Sequence, residues 1–267
     1  MASDQLHERL NWACPEAVHR KKNHEPMTTP ITIPSMLMRT TALALLLAPA
    51  IAQAGRPMTT DDAAVLEPGA CQLEAWWQRL HDHSEAWLAP ACSIAPGWEA
   101  GLSLVRTREP GSTASERVGG MYAKTVLRPL QTNGWGLGVV VSHLPLAAGS
   151  LAGDTVLNVP LTMSWHDDAV LVHANAGWTR HYTIHQGGAT WALGAEMAVG
   201  SRAALTLETF GAKRGHSYVQ AGARYSVLPN RLDVDAAYGE RLTARGKEAY
   251  LSLGLTLAVN MTVSLAK

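Results

Sequence analysis

Four places in the sequence bring together side chains that could do chemistry. Ser142 and His143 set a hydroxyl beside a base, but a serine nucleophile needs its base within hydrogen-bond reach. Residues 134–143 alternate as a strand does, and adjacent strand residues point to opposite faces, so the two cannot serve each other. His166, Asp167 and Asp168, and again His81, Asp82 and His83, are the residue types of a metal site. Both triplets fall in polar breaks between apolar runs, where such residues are favoured for local hydrogen bonding, and the turn reading is the stronger one. His173 and Asn175 share one face of an alternating run, and the expectation there is a hydrogen-bonded interior pair rather than a reactive one. No catalytic, cofactor-binding or metal-binding residue is therefore assigned, and no cofactor is implied.

Cys71 and Cys92 have a covalent possibility instead. They flank the polar stretch RLHDHS, centred on His81 and Asp82. An antiparallel hairpin turning there places them opposite each other, and two cysteines in an exported chain favour a disulfide over two free buried thiols.

The elements that must position these residues are strands. In 190–212, TWALGAEMAVGSRAALTLETFGA, Trp191, Leu193, Ala195 and Met197 alternate with Ala192, Gly194, Glu196 and Ala198. Gly200 and Ser201 then make a two-residue hairpin turn, after which Leu205 and Leu207 alternate with Thr206 and Glu208. The unit repeats from about residue 70 to 259 as about twelve strands of roughly nine to thirteen residues. A membrane-crossing β-strand needs about 9–11 residues. Short turns near 95–96, 165–168, 200–201 and 228–230 alternate with longer polar loops at 79–85, 108–117, 144–154, 181–188, 212–216 and 241–246. The connection at 129–133 is of middling length. Loop lengths segregated in this way are those of an antiparallel up-and-down transmembrane barrel with its short turns in the periplasm.

The faces follow by parity. Leu251, Leu253, Leu255 and Leu257 are expected to meet lipid, as are Val234, Ala236 and Tyr238. Lys124, Arg128, His173, Glu196, Glu208, Arg224, Asp233, Asp235 and Glu248 are expected to face the lumen, together with Glu74 and Glu99. Trp77, Trp87, Trp98, Trp135, Trp165, Trp178 and Trp191 lie at strand ends and are expected to form aromatic girdles at the two interfaces.

What precedes the strands is of a different kind. Arg39 leads into ALALLLAPAIAQA, which ends in small residues and an Ala-x-Ala site, so residues 36–54 read as a secretory signal peptide cleaved between Ala54 and Gly55. Residues 1–35 are expected to be an extension from a start assigned too early. Residues 55–69 lack periodicity and are expected to be a periplasmic lead-in, and residues 260–267 a C-terminal tail. The chain has 22 Lys and Arg against 22 Asp and Glu, a balance that excludes a nucleic-acid partner read from charge. The expected partners are outer-membrane lipid, the barrel-assembly machinery and a small-molecule solute.

Three stretches carry a resemblance: GRPMTTDDAAVLEPGACQLEAW (55–76), LRPLQTNGWGLGVVV (127–141) and YSVLPNRLDVDAAYG (225–239). They are similar to uncharacterised proteobacterial outer-membrane proteins that resemble the barrel family named for the meta-pathway of phenol degradation. The resemblance covers the chain from residue 55 onward and implies a bacterial outer-membrane location and a channel. The ending, NMTVSLAK, departs from the terminal aromatic usual for such barrels. The function expected is a passive channel or transporter for small solutes. The alternatives are a closed structural or surface-interaction barrel and a barrel-embedded lipid-modifying enzyme using His173.

Overall fold

Period-two alternation with no helical stretch between the runs makes each strand pair with the next, and the chain closes on itself. The computed structural model describes residues 55–111, 116–145, 152–213, 215–243 and 248–260. They form β1 (Ala70–Arg79), β2 (Ser84–Ala95), β3 (Trp98–Arg108), β4 (Glu116–Arg128), β5 (Trp135–Pro145) and β6 (Gly153–Trp165). β7 (Val170–His181), β8 (Gln186–Val199), β9 (Ala203–Ala212), β10 (Ser217–Leu228), β11 (Leu232–Arg241) and β12 (Ala249–Asn260) complete the set. Every pairing is antiparallel between sequence neighbours, and β1 pairs with β12 to close a twelve-strand barrel. Closure leaves no edge strand, which matters where no water can satisfy free backbone groups.

The expected signal peptide (36–54), the extension before it and residues 261–267 of the expected tail lie outside the described residues. Three of the loops expected to be long are shorter than expected. The strands run further, so β1 and β2, β7 and β8, and β9 and β10 are joined by residues 80–83, 182–185 and 213–216.

At the opposite end the turns are set by residues that accept a positive φ. Gly97, Asn133, Gly200 and Asn230 do so singly, while His166, Asp167 and Asp168 do so in succession, at 54°, 56° and 66°. Such a run is costly for residues other than glycine. It is held by Asn133, which accepts from the Asp167 amide at 2.9 Å and donates to the Asp167 carboxylate at 2.6 Å. Thr132 and Ser164 both donate to Asp168. The triplet is thus a turn built from polar side chains, and among the described residues no group of three or more His, Cys, Asp or Glu could hold a metal.

Three register shifts, at Ser93/Ala95, Val126/Arg128 and Ser226/Leu228, lie at this same rim. Barrel rims are where bulges re-aim side chains. The second shift reverses one expectation. Lys124 lies opposite the lumen-facing Val140, but Arg128 lies opposite the outward Leu137. Arg128 therefore leaves the lumen and stacks on the outward Trp135, its guanidinium 3.8 Å from the ring centre.

The outer wall is apolar. Leu205, Leu207, Leu251, Leu253, Leu255, Leu257 and Val234 are among its exposed large side chains. Outward arginines (Arg79, Arg106, Arg108, Arg180) stand near the strand ends, where the cost of a cation falls from about 2–4 kcal/mol at the bilayer midplane to about 0–1. Trp77, Trp98, Trp135, Trp165, Trp178 and Trp191 are exposed on this wall. Trp87 is not. It has the parity of the buried Glu85 and Ala91, points inward, and stacks on Trp76 with ring centres 5.1 Å apart.

Candidate functional site

The lumen is occupied by the chain's own residues 55–66, with residues 67–69 turning at its rim. This corrects the expectation of a periplasmic lead-in. Leu66-Glu67-Pro68-Gly69 explains the entry: Gly69 has φ 81° and the Ala70 amide donates to the Glu67 carbonyl at 2.9 Å. Proline followed by glycine in such a turn is the type II pattern, and it reverses the chain just before β1. The reversed segment then runs back through the barrel.

It is fastened along its length. Near the rim where β1 begins, the Leu66 amide donates to Glu99 at 3.0 Å, and the Tyr122 hydroxyl donates to the other oxygen of that carboxylate at 2.7 Å. Ala63, wholly buried, donates its amide to Thr162 Oγ1 at 2.9 Å, and Thr162 in turn contacts His173 Nδ1 at 2.9 Å. Asp62 pairs with Lys124. Asp61 exchanges two backbone bonds of 2.8 Å with the Asn175 side chain, and its carboxylate accepts from Asn158 at 2.6 Å.

The deeper half uses one carboxylate as a clamp. Glu208 accepts from the amides of Thr59 and Thr60, both at 2.8 Å, and from the Thr60 hydroxyl at 2.6 Å. Gln220 donates to Glu208 and to the Pro57 carbonyl, each at 2.7 Å, and accepts from the Tyr250 hydroxyl at 2.6 Å. Arg56 donates to Asp235 at 3.1 Å and to Ser252, and its guanidinium lies 4.4 Å over the Trp76 ring. Charge-assisted bonds of this kind are roughly twice as strong as neutral ones, and leaving a buried partner unmet is costly.

Glycines make the room. A Cβ on Gly222 would lie 2.8 Å from Pro57 Cγ, and one on Gly254 would lie 2.6 Å from Arg56 Nε. Both have lumenal parity within strands, where glycine marks the close approach of another backbone.

Most of the residues expected in the lumen are therefore brought together on one ligand, the plug. Lys124, Glu208 and Asp235 bind it directly, and Arg224 donates both to the Arg56 carbonyl at 3.4 Å and to Glu196. His173 is wholly buried and reaches the plug through Thr162. Asp233 lies on the same face, opposite Thr256. Glu248 sits at the far mouth, accepting from Arg241 at 2.6 Å. Arg128 is the exception described above, and Trp87, expected in the girdle, joins the lumen instead. Ser142 and His143 point to opposite faces, with His143 on the outer wall 3.1 Å from Thr155.

Cys71 and Cys92 stand opposite each other in register and are bonded, and both have outward parity, on the lipid side. Cys92 borders a groove of about 590 Å³ on that wall, lined by Pro90, Leu102, Met121 and Val141. The groove is outside the lumen and faces the bilayer.

The residues that sequence reasoning missed are those of the plug, above all Arg56, Thr60, Asp61 and Asp62, with Trp76 on the wall. Two signals for them stood in the sequence: the Pro-Gly turn before β1, and glycines of lumenal parity in mid-strand.

Among solved structures, the chain is similar to the COG4313 outer membrane channel from Pseudomonas putida F1, with a TM-score of 0.54 at 10% identity, covering 76% of this chain and 100% of that one. It is similar to a KdgM porin, with a TM-score of 0.53 at 12% identity over 70% of this chain and 98% of that one. The NanC porin gives 0.52 at 8% identity over the same shares. At these identities the likeness is one of fold, the closed barrel of the outer-membrane type. No curated protein matches the sequence. Residues 42–259 match the model of a family described as "Uncharacterised conserved protein UCP029691".

Proposed function

The chain belongs to this uncharacterised family, and from its plugged lumen we propose that it is a passive outer-membrane channel for small solutes, held shut by residues 55–66. The apolar outer wall supports the membrane setting, and the aromatic residues at the strand ends support its two interfaces. The observation that carries the channel reading is how the plug is attached. Its contacts with the wall run through side chains such as Glu208, Lys124, Asn175 and Thr162, and it adds no strand to the barrel. Removing it therefore costs the barrel no ladder bond. A twelve-strand barrel lies between those filled by side chains and those of 16–18 strands that hold an aqueous channel, and here one short peptide fills the space between.

A non-enzymatic role fits the surroundings of His173, which meets Thr162 and lies beneath the plug, and those of Glu208 and Glu99, which are engaged in holding the plug. Kinship with the meta-pathway barrel family is the finer form of the same reading, supported by stretches 55–76, 127–141 and 225–239. The mixed charge of the wall, with Lys124 and Arg224 set among carboxylates, suits small solutes without a strong preference for one sign.

Planar-bilayer conductance tests the proposal by comparing the chain from Gly55 with one beginning at Pro68. Low conductance is expected from the first and at least about a tenfold rise from the second. A truncated chain that folds, shown by heat-modifiable migration, yet conducts no more than an empty bilayer would reject the channel and leave a closed, structural barrel.

A further inference from the structure

The plug begins where the sequence places a cleavage site. A Cβ built on Gly55 would lie 2.6 Å from Glu74 Oε1, so the Gly55 nitrogen is within roughly 5 Å of that carboxylate. Glu74 faces the lumen from β1, between Thr256 on β12 and Ala89 on β2. Its side chain takes a 3.5 Å bond from Gln72, accepts the Arg56 backbone amide and lies in the field of the Arg56 guanidinium. The neighbouring cations are engaged with other carboxylates: Arg56 with Asp235, Arg224 with Glu196 and Lys124 with Asp62. A partly buried carboxylate whose bonds come from neutral donors is stabilised further by a positive charge beside it. A chain terminus at Gly55 would supply one, because an α-amino group is protonated at neutral pH.

We propose that cleavage between Ala54 and Gly55 completes the plug, the new α-ammonium of Gly55 docking on the Glu74 carboxylate. In the cleavage, water adds across the peptide bond. The Ala54 carbonyl carbon takes the hydroxyl, the Gly55 nitrogen takes hydrogen, and a further proton from solvent makes the ammonium. Before cleavage that nitrogen is a neutral amide and cannot balance Glu74. The uncleaved chain carries ALALLLAPAIAQA directly ahead of Gly55, a run with no charged side chain to take the place of the ammonium. Export processing thus creates the charged group that fastens the free end of the plug once the barrel has folded around it.

The inference rests on the plug and on the signal-peptide reading, and it deepens the channel proposal by naming what fastens the free end of the plug. Its readouts are the reactivity of an amine and the exchange of amides, so it stands or falls independently of conductance. Three proteins would be refolded in detergent micelles: the chain from Gly55, the same chain with Glu74→Gln, and a chain beginning at Ala52. The α-amine is treated with an acylating reagent near neutral pH and the N-terminal peptide is weighed. In parallel, hydrogen exchange is followed at the amides of Thr59, Thr60 and Ala63. The α-amine of the Gly55 chain should acylate at least about tenfold slower than either comparison, and its three amides should exchange at least about tenfold slower than those of the Ala52 chain. Equal acylation in the wild type and Glu74→Gln would overturn the docking, as would full amide protection in the Ala52 chain. Should Glu74→Gln fail to fold, the Ala52 chain decides the matter alone.

Discussion

Lys124, on the barrel wall, and Asp62, on the segment that fills the lumen, form an ion pair buried on both sides. The two are 62 residues apart in sequence, so the pair ties the start of the folded chain to the middle of β4. Breaking a buried pair by removing one partner costs about 3–5 kcal/mol, because the other charge stays behind in a poor solvent.

Lys124→Met should therefore loosen the plug by about that amount and leave the barrel closed, since no ladder bond depends on the side chain. Hydrogen exchange at Thr60 and Ala63 should rise steeply while the strand amides stay protected. Pairing Lys124→Met with Asp62→Leu should restore much of the protection, because it removes both charges. A double variant as loose as the single one would show that the pair is not what holds this part of the segment.

A second prediction concerns space rather than charge. Gly222→Leu puts atoms where Pro57 packs, with the Cβ alone 2.8 Å from the proline ring and 3.0 Å from the Ala236 carbonyl. A proline ring cannot swing aside as a flexible side chain would. Conductance should rise toward that of the chain lacking the plug. Unchanged conductance in a folded variant would mean the segment shifts locally without leaving.

The disulfide stabilises without taking part in closure. Cys71–Cys92 closes a loop of 21 residues between β1 and β2 on the lipid side. Cross-links of that span are worth about 2–4 kcal/mol, largely through the unfolded chain. The double change Cys71→Ser, Cys92→Ser should lower the midpoint of unfolding in denaturant and leave amide protection in the plug as it was.

At the mouth formed by the connection between β1 and β2, His83 carries a pH dependence. Its Nε2 lies 3.1 Å from Glu85 and its Nδ1 2.5 Å from Asp82. Glu85 first, and Asp82 after burial has opposed it, hold the imidazole's pKa above its ordinary value. A raised pKa in the folded state means that the protonated form is the stabilising one. The contribution is complete below the unfolded value of about 6.5 and is lost as pH rises through the higher folded value. Wild type and His83→Gln should therefore differ most in thermal stability near pH 5 and converge in alkaline solution. A gap that widens with pH would refute this reading.

The sequence by itself determined the barrel. Alternation of period two assigns each strand side chain to a face, and a bilayer outside with polar side chains inside is the arrangement that pays no large transfer cost. That is why the faces of β8 to β12, the register of Cys71 against Cys92 and the inward aim of Glu196, Glu208, Arg224 and Asp235 are legible in the sequence. Local chemistry also sufficed at the turns, where Gly200 and Asn230 stand at positive φ.

What lies in the lumen was decided only by tertiary structure. The plug has no period to read, and its partners are remote: Thr60 meets Glu208 across 148 residues and Arg56 meets Ser252 across 196. The same holds where one residue breaks the count. A bulge between Val126 and Arg128 turns Arg128 outward onto Trp135, although parity from Lys124 keeps it inside. Trp87, at a strand end like the girdle tryptophans, points inward and stacks on Trp76 beneath Arg56. Parity fixes which solvent a strand residue meets. It carries no information on which segment of the same chain has already displaced that solvent.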